Sequence, residues 1–270
     1  MKDLKSIKLL LFDLDDTLLR SDKSISEGNL AAIGRCKAAD MLVGISTSRS
    51  ERNAGMFIQR LRPDVLITSA GASVRVGDER IFTAAFTRGE AERIIAAARD
   101  IMGPDALIDA DTWDTHYRNY PISEDEEKTG WDGSVATDFS TVPENALMVC
   151  VNMPDPEDAA RLAGELPFCD VVKFAHGDWY KVTRAGITKA SGVETLCRTL
   201  GIQKSQIAAF GDDLADIGML RLAGLGVAMG NGLHEVKRQA DVVIGDNNSD
   251  AIAEFLGKLI LEKRSGEGFA

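Results

Sequence analysis

Residues 7–17, Ile-Lys-Leu-Leu-Leu-Phe-Asp-Leu-Asp-Asp-Thr, join a nearly continuous apolar run directly to a group of acidic residues. An apolar run of this length is typical of a strand that is buried on both faces of a parallel sheet. Asp13 and Asp15 follow at its carboxyl end, where sheets of this kind bind their ligands. This stretch therefore predicts both the fold class and the place of the functional site.

Further short apolar runs alternate with stretches of helical periodicity on both sides of the chain's middle. The predicted strands are 41–45, 65–68, 206–210, 226–229 and 242–244, and the predicted helices are 26–38, 51–61, 188–200, 214–222, 233–239 and 249–261. Ser26 is the expected N-cap of the first of these helices. The alternation predicts right-handed βαβ units in a Rossmann-like, doubly wound parallel sheet of the α/β class.

The middle of the chain has a different pattern. A hairpin is predicted at 73–86, helices at 89–102 and 156–164, strands at 107–109, 146–152, 171–175 and 179–183, and a polar stretch at 111–143. We therefore predict an α+β cap domain inserted at residues 85–184 between two core segments, 1–84 and 185–270.

The composition argues against several classes of partner. The chain has 31 Lys and Arg against 42 Asp and Glu, a net charge of −11, and an acidic surface repels nucleic acids and anionic lipids. No apolar run approaches the roughly 20 residues that cross a bilayer. The four cysteines lack zinc-ligand spacing and are expected to be reduced thiols. We expect a cytoplasmic monomer or homodimer that binds a small molecule, with neither nucleic acid nor membrane as a partner.

The two carboxylates after the first strand suit phosphoryl chemistry. One of Asp13 and Asp15 could attack phosphorus while the other handles the leaving-group proton. Their combined negative charge calls for a hard cation such as Mg²⁺. Taken alone, such a pair is more often part of a loop or an N-cap than of a catalytic site.

Three other groups of residues could complete such a site. Residues 46–49, Ser-Thr-Ser-Arg, could bind phosphoryl oxygens through their hydroxyls and the N-terminus of the next helix. Lys189 begins a predicted helix and could neutralise the nucleophile and a phosphoryl oxygen together. Asp212 and Asp216 are four residues apart, so they face the same way if a helix has begun there.

As an ordered set, these residues resemble a known family. Asp13-x-Asp15-x-Thr17, Thr47, Lys189 and Gly211-Asp212-x-x-x-Asp216 look like the four motifs of the haloacid dehalogenase superfamily of phosphohydrolases. The inserted domain, Ala70-Gly71-Ala72 and the glycine-rich residues 224–232 resemble its Cof-type branch, subfamily IIB, which carries a C2B cap. The resemblance covers both core segments and implies hydrolysis of small phosphate monoesters, often sugar phosphates.

The resemblance also implies a role for each matching residue. Asp13 would be the nucleophile that forms an aspartyl phosphate, and Asp15 would act as general acid and then as general base. Mg²⁺ would be bound by Asp13, the main-chain carbonyl of Asp15 and Asp212, with Asp216 in support. The residues expected to bind the phosphoryl group or the substrate are Thr47, Ser48, Arg49, Gly71 and Lys189.

Two positions depart from the family pattern and leave alternatives open. Ala70 and Ala215 stand where the Cof-type pattern usually has Asn, so two side-chain amides near the metal and the cap are lost. Ser48 replaces the usual Gly, which is a milder change. A phosphotransferase or phosphomutase of the same fold, or a non-catalytic phosphometabolite-binding protein, remains an alternative to the phosphatase.

Overall fold

Two β-sheets organise the chain in the computed structural model, which describes residues 4–124, 128, 133–174 and 177–264. The strands are β1 Leu9–Phe12, β2 Leu42–Ser46, β3 Val65–Thr68, β4 Ser73–Val76, β5 Glu79–Thr83, β6 Ile108–Asp111, β7 His116–Arg118, β8 Val135–Ala136, β9 Met148–Asn152, β10 Cys169–Lys173, β11 Trp179–Arg184, β12 Ile207–Gly211, β13 Leu225–Ala228 and β14 Val242–Val243. The helices are α1 Glu27–Lys37, α2 Gly55–Leu61, α3 Arg88–Met102, α4 Pro156–Glu165, α5 Lys189–Leu200, α6 Ile217–Leu222, α7 His234–Gln239 and α8 Ala251–Arg264.

The core sheet has the strand order β14-β13-β12-β1-β2-β3-β4-β5. The six strands from β14 to β3 are parallel, and β4 and β5 add an antiparallel hairpin at one edge. This arrangement confirms the predicted Rossmann-like α/β core. Strand β1 lies between β2 and β12, so the loops that follow these three strands meet at one edge of the sheet.

Helices cover both faces of the core sheet. Along β1, Leu10 and Phe12 pack in one apolar cluster with α1, α2 and α8, whereas Leu9 and Leu11 pack in another with α5, α6 and α7. Successive side chains of a strand point to opposite faces, which is why the uninterrupted apolar run buries both. Burial of each such side chain stabilises the fold by roughly 1.5–3 kcal/mol.

Local capping explains where several helices begin. Ser26 caps α1 as predicted, and its hydroxyl accepts a hydrogen bond from the amide of Asn29. Thr188 and Ser191 form a reciprocal cap that starts α5 at Lys189. The helix predicted over 51–61 begins only at Gly55, because residues 51–54 form a turn in which Ser50 accepts from the amide of Asn53.

The second sheet, the cap sheet, has the order β10-β11-β9-β6-β7-β8 and is antiparallel except between β7 and β8. Helices α3 and α4 pack on one face of it. Strands β7 and β8 lie in the stretch predicted only as polar, because they are short and carry few apolar residues. The division of the chain at 85 and 184 stays our proposal.

Within the described residues, the longest and most apolar helices still fall short of what a membrane span requires.

Candidate active site

The loop after β1 brings carboxylates to the carboxyl edge of the core sheet. The amide of Asp13 donates to the carbonyl of Phe210 at 3.0 Å, which fixes the end of β1 beside β12. Asp16 adopts a left-handed conformation with φ 57°, and Asn231 donates to its carbonyl at 2.7 Å. This hydrogen bond holds the turn against the loop that follows β13.

Lys189 lies at the centre of the site. Its Nζ donates to Oδ1 of Asp13 and to Oδ1 of Asp216, both at 2.6 Å, and its side chain is 3% exposed. Burial alone would lower the pKa of Lys189, but the charges of Asp13 and Asp216 raise it above its usual range. The two carboxylates therefore favour the charged form of Lys189 beside the predicted nucleophile.

Asp13, Asp212 and Asp216 each offer an oxygen within 4.8 Å of the others, and all three are buried. Burial raises the pKa of Asp13, and burial with the charge of Asp216 raises the pKa of Asp212 to about 7. Thr17 donates to Oδ1 of Asp212 at 2.6 Å and orients it. The cluster is short of positive charge even with Lys189 present, and an all-oxygen donor set of this kind fits Mg²⁺.

Asp216 is held in place although residue 215 is an alanine and provides no side-chain amide. Oδ2 of Asp216 accepts from the main-chain amides of Asp212 and Asp213, each at 3.1 Å. Its other oxygen accepts from Lys189. Main-chain donors therefore hold this carboxylate without a side-chain amide at residue 215.

The carboxylate of Asp15 points away from that cluster and toward two cations. Arg49 contacts both of its oxygens, at 2.7 and 2.9 Å, and Lys23 contacts Oδ1 at 2.9 Å. Burial would raise the pKa of Asp15, but the hydrogen bonds and charge of Arg49, aided by Lys23, lower it well below its usual range. The guanidinium of Arg49 thus binds the carboxylate of Asp15. The predicted contact of Arg49 with phosphate stays a prediction.

The other predicted binding residues lie around this centre. Oγ1 of Thr47 is buried and accepts from the amide of Arg49 at 3.1 Å. Ser48 borders the cavity described below. Gly71, with φ 109°, backs the start of α5, since a Cβ there would lie 2.1 Å from the carbonyl oxygen of Thr188. The roles of these residues in substrate binding stay predictions.

A cavity of about 430 Å³ lies between the core edge and the uncovered face of the cap sheet. On the core side it is lined by Asp13, Asp15, Lys189 and Asp212 among others. The cap contributes Asp109, Asp111, Tyr120, Met148, Phe174 and Trp179. Each predicted catalytic carboxylate therefore borders a space that can hold a small ligand.

Sequence reasoning missed the cap side of this cavity. Asp109 accepts from the Tyr120 hydroxyl at 2.9 Å, and Asp111 lies 2.8 Å from Nδ1 of His116. Burial is the main cause that raises the pKa of Asp109, to about 6. The signal was the alternation Ile-Asp-Ala-Asp at 108–111, which places both carboxylates on one face of a strand.

A second missed residue crosses from the cap to the core. Nζ of Lys181, on β11, donates to Oγ of Ser48 at 3.1 Å and lies 5.0 Å from the ring centre of Phe174. Burial and the nearby charge of Lys189 lower the pKa of Lys181. No local pattern around residue 181 identifies it, because the contact joins residues that are 133 positions apart.

Comparison with known proteins assigns this architecture to a family. The family model of haloacid dehalogenase-like hydrolases matches residues 10–256, nearly the whole chain. The chain belongs to this family. Its relatives place it among the phosphoric monoester hydrolases, and the Cof-type resemblance of the motifs is confirmed.

Two curated relatives and one solved structure illustrate the similarity. 5-Amino-6-(5-phospho-D-ribitylamino)uracil phosphatase YitU of Bacillus subtilis is 27% identical over 260 residues, 92% of this chain and 96% of that protein. Phosphoglycolate phosphatase of Methanopyrus kandleri is 27% identical over 265 residues, 94% of this chain and 97% of that protein. The HAD subclass IIB sugar phosphatase BT4131 has a TM-score of 0.80 and 25% identity, covering 94% of this chain and 99% of its own.

Proposed function

We propose that this enzyme is a Mg²⁺-dependent phosphatase that hydrolyses a small phosphate monoester, a sugar phosphate or a related metabolite, through an aspartyl phosphate. The observation that carries the proposal is the ammonium of Lys189, held 2.6 Å from both Asp13 and Asp216 at the border of the cavity. Its charge favours the ionised form of Asp13, which is the nucleophilic form. It also provides a donor for a phosphoryl oxygen.

The reaction has two steps on phosphorus. First, an oxygen of Asp13 bonds to phosphorus while the bond from phosphorus to the leaving-group oxygen breaks, and Asp15 supplies the proton to that oxygen. Water then attacks the phosphorus of the aspartyl phosphate, Asp15 accepts a proton from the water, and the bond to the Asp13 oxygen breaks. The products are the alcohol, inorganic phosphate and the original enzyme.

The contacts of Asp15 bear on these two roles. Arg49 and Lys23 favour its carboxylate, the form that acts as a base in the second step. The acid of the first step must carry a proton, so we infer that Arg49 moves away from Asp15 when substrate fills the cavity. Arg49 would then be released to contact a phosphoryl oxygen, as the sequence predicts.

The metal would be held by side-chain oxygens of Asp13 and Asp212 and by the main-chain carbonyl of Asp15. When bound, Mg²⁺ supplies positive charge that offsets repulsion between the phosphate and the carboxylates. Burial, together with the charges of neighbouring aspartates, raises the pKa values of Asp13 and Asp212, and a cation bound here would favour their ionised forms.

The relatives support a small phosphorylated metabolite as substrate. Their names refer to a phosphoribitylamino-uracil, to phosphoglycolate and to a sugar phosphate. These substrates have a phosphate ester in common but differ in their leaving groups. This agrees with an enzyme in which core residues catalyse the reaction and cap residues bind the leaving group. The cytoplasmic location and the monomeric or homodimeric state stay predictions.

Phosphate release is the direct test. The purified protein should release phosphate from benzyl phosphate with Mg²⁺, should lose the activity with a chelator, and should lose it again in Asp13→Asn. Asp105→Asn, which alters an exposed cap carboxylate outside the cavity, is the control. Phosphate found on an added sugar instead of in solution identifies a phosphotransferase. Binding of the ester without turnover identifies a non-catalytic binding protein.

Asp15→Asn tests the covalent intermediate. An aryl phosphate with a leaving-group pKa near ~7 needs little protonation, whereas hydrolysis of the aspartyl phosphate still needs a base. The variant should release a burst of about one phenolate per active site and trap an adduct about 80 Da heavier, as expected for a covalent phosphoryl enzyme. A sugar phosphate should give almost no burst. Equal slowing of both substrates without an adduct contradicts the role of Asp15 as acid and base.

A further inference from the structure

The cap side of the cavity combines two carboxylates with an aromatic wall. The cavity of about 430 Å³ has the size of a ligand site, and a phosphoryl group fills only part of it. The remaining space lies against the uncovered face of the cap sheet. The side chains on that face are therefore the ones that a leaving group would meet.

Two carboxylates line this space from β6, which lies between β9 and β7 in the cap sheet. Asp109 and Asp111 are two residues apart in β6, so they share a face, and they are 6% and 2% exposed. Asp109 accepts from Tyr120 and Cys150, and Asp111 pairs with His116. A carboxylate offers about four acceptor sites, so each retains capacity for donors of a ligand.

The rest of the cap wall is apolar and aromatic. The rings of Tyr120 and Trp179 lie with centroids 5.0 Å apart. Ala70 of the core packs in a cluster with Met148, Cys150, Phe174 and Trp179. The methyl of Ala70 occupies the position at which the Cof-type pattern has an amide. The wall thereby loses a polar group and becomes more continuous as an apolar surface.

We propose that the leaving group carries a planar nitrogen heterocycle that stacks on Tyr120 and Trp179 and donates N–H groups to Asp109 and Asp111. The inference rests on the phosphatase function proposed above. A heterocycle carries N–H donors in the ring plane and presents apolar faces, which matches two carboxylate acceptors on one strand beside an aromatic wall. A sugar has hydroxyls around its whole rim, and those against the apolar wall would lose hydrogen bonds to water.

Three esters of similar size separate these possibilities. Aminopyridylmethyl phosphate has the planar ring and the N–H donors, benzyl phosphate has the ring alone, and glucose 6-phosphate has donors without a planar ring. We expect kcat/KM for the aminopyridyl ester to exceed that for benzyl phosphate by about tenfold or more, since hydrogen bonds to charged acceptors are strong. Glucose 6-phosphate should be the poorest of the three.

Variants assign the preference to the cap residues. Asp109→Asn should lower the ratio of kcat/KM between the aminopyridyl and benzyl esters about tenfold. Asp111→Asn is the second variant if the first does not fold. Trp179→Leu should lower turnover of both aromatic esters relative to glucose 6-phosphate. The ratio should be unchanged in Asp105→Asn, the exposed carboxylate in the turn before β6.

The outcomes test the heterocycle proposal separately from the proposed phosphatase function. A wild-type preference for glucose 6-phosphate, or an unchanged ester ratio in both aspartate variants, overturns the heterocycle proposal and leaves the phosphatase intact. No phosphate release from any ester with Mg²⁺ overturns the phosphatase itself. A tenfold preference that disappears in Asp109→Asn or Asp111→Asn supports the proposal.

Discussion

The contact between Arg49 and Asp15 makes the protonation of Asp15 depend on one side chain. Arg49 reaches both carboxylate oxygens and is the main cause that lowers the pKa of Asp15 against the effect of burial. Removal of a positive charge disfavours the carboxylate, so Arg49→Met should raise the pKa of Asp15. Activity that needs this carboxylate as a base will then be lost at a higher pH. We expect the acidic limb of the kcat profile for an aryl phosphate, whose turnover is limited by hydrolysis of the aspartyl phosphate, to move to higher pH.

Lys23→Met is the matched control for this prediction. Lys23 contacts one oxygen of Asp15 at 2.9 Å and contributes less to the low pKa than Arg49 does. The acidic limb of the Lys23→Met profile should move in the same direction as that of Arg49→Met, but by a smaller amount. The limb position is the measured quantity, because Arg49→Met can also weaken phosphate binding and lower the whole profile. An acidic limb that stays in place in both variants contradicts the assignment of Asp15 as the titrating base.

Metal binding is predicted to depend on Asp212. Asp212→Ala removes one of the carboxylates that could hold Mg²⁺ and leaves a hard cation short of one oxygen ligand. We expect Mg²⁺ affinity to fall by more than about tenfold, and turnover with it. Isothermal titration measures the affinity, with Asp105→Ala as the control. Unchanged Mg²⁺ binding in Asp212→Ala would show that the metal lies elsewhere.

The same variant should reduce the effect of the metal on stability. Without Mg²⁺, burial and repulsion from the like charge of Asp216 raise the pKa of Asp212 to about 7. Asp212→Ala relieves this repulsion above that pH. In Mg²⁺ the wild-type protein gains stability from binding, whereas the variant gains little. The shift in Tm on addition of Mg²⁺ should therefore be large in the wild type and small in Asp212→Ala.

At the scale of elements, the loop after β3 positions the start of α5. Gly71 has φ 109°, and a Cβ there would lie 2.1 Å from the carbonyl oxygen of Thr188, directly before Lys189. Gly71→Ala must therefore strain the loop or push back the N-terminus of α5. We expect a loss of about 2–4 kcal/mol in the free energy of unfolding. Because Lys189 moves with its helix, kcat should also fall.

Gly77→Ala provides the matched control. Gly77 also has a positive φ, of 55°, but nothing lies within 4 Å of a Cβ added there. Only the backbone preference is lost, so the cost should be about 1 kcal/mol and activity should be retained. Denaturant unfolding and steady-state kinetics measure both effects. A Gly71→Ala protein as stable and active as Gly77→Ala would refute the positioning role.

The core elements could be predicted because their signals are local. The apolar run before Asp13 must be buried on both faces, and β3 was predicted with its observed bounds of Val65–Thr68. Lys189 could be expected near the carboxylates because it follows the insertion in the same order as the family motifs. The strands are therefore fixed by short local segments, whereas Lys189 is identified only by its place in the ordered set of motifs.

Other features could not be predicted because they arise between distant segments. Asp15 and Arg49 lie on separate loops, 34 residues apart, and their pairing depends on the order of β1 and β2 in the sheet. The cap strand β7, His116–Arg118, is held by pairing with β6 and β8 and carries no apolar pattern of its own. The helix predicted from Glu51 begins only at Gly55, and Glu51 instead pairs with Arg75 and Arg80 of the distant β4–β5 hairpin.

At the scale of the whole molecule, the two parts have separate apolar cores. The two large clusters that enclose the core sheet contain no residue between 83 and 192. The cap cluster lies within residues 86–182. Among the described residues, apolar contact between the parts consists of two small clusters, one around Ala70 and one around Ala72, and Lys181 adds a hydrogen bond to Ser48. Each part therefore has the buried surface that an independent fold needs.

This separation predicts that the cap governs specificity and the core governs chemistry. Replacement of residues 85–184 with a short linker leaves Asp13, Lys189, Asp212 and Asp216 in their described contacts, since every partner among them belongs to the core. We expect the truncated protein to hydrolyse acetyl phosphate, whose acetate leaves without assistance from the cap. Discrimination among larger esters should disappear, because the aromatic and acidic wall is gone.

The measurement is a comparison of kcat/KM for acetyl phosphate and for the three esters used above, before and after truncation. Folding of the truncated protein is checked by circular dichroism and by a cooperative thermal transition. The core loses the contacts of Ala70 and Ala72, so a lower Tm is expected without loss of the transition. A truncated protein that remains folded, binds Mg²⁺ and yet fails to hydrolyse acetyl phosphate would assign part of the chemistry to the cap. Lys181 is then the residue to test first, because its ammonium reaches Ser48 from the cap side.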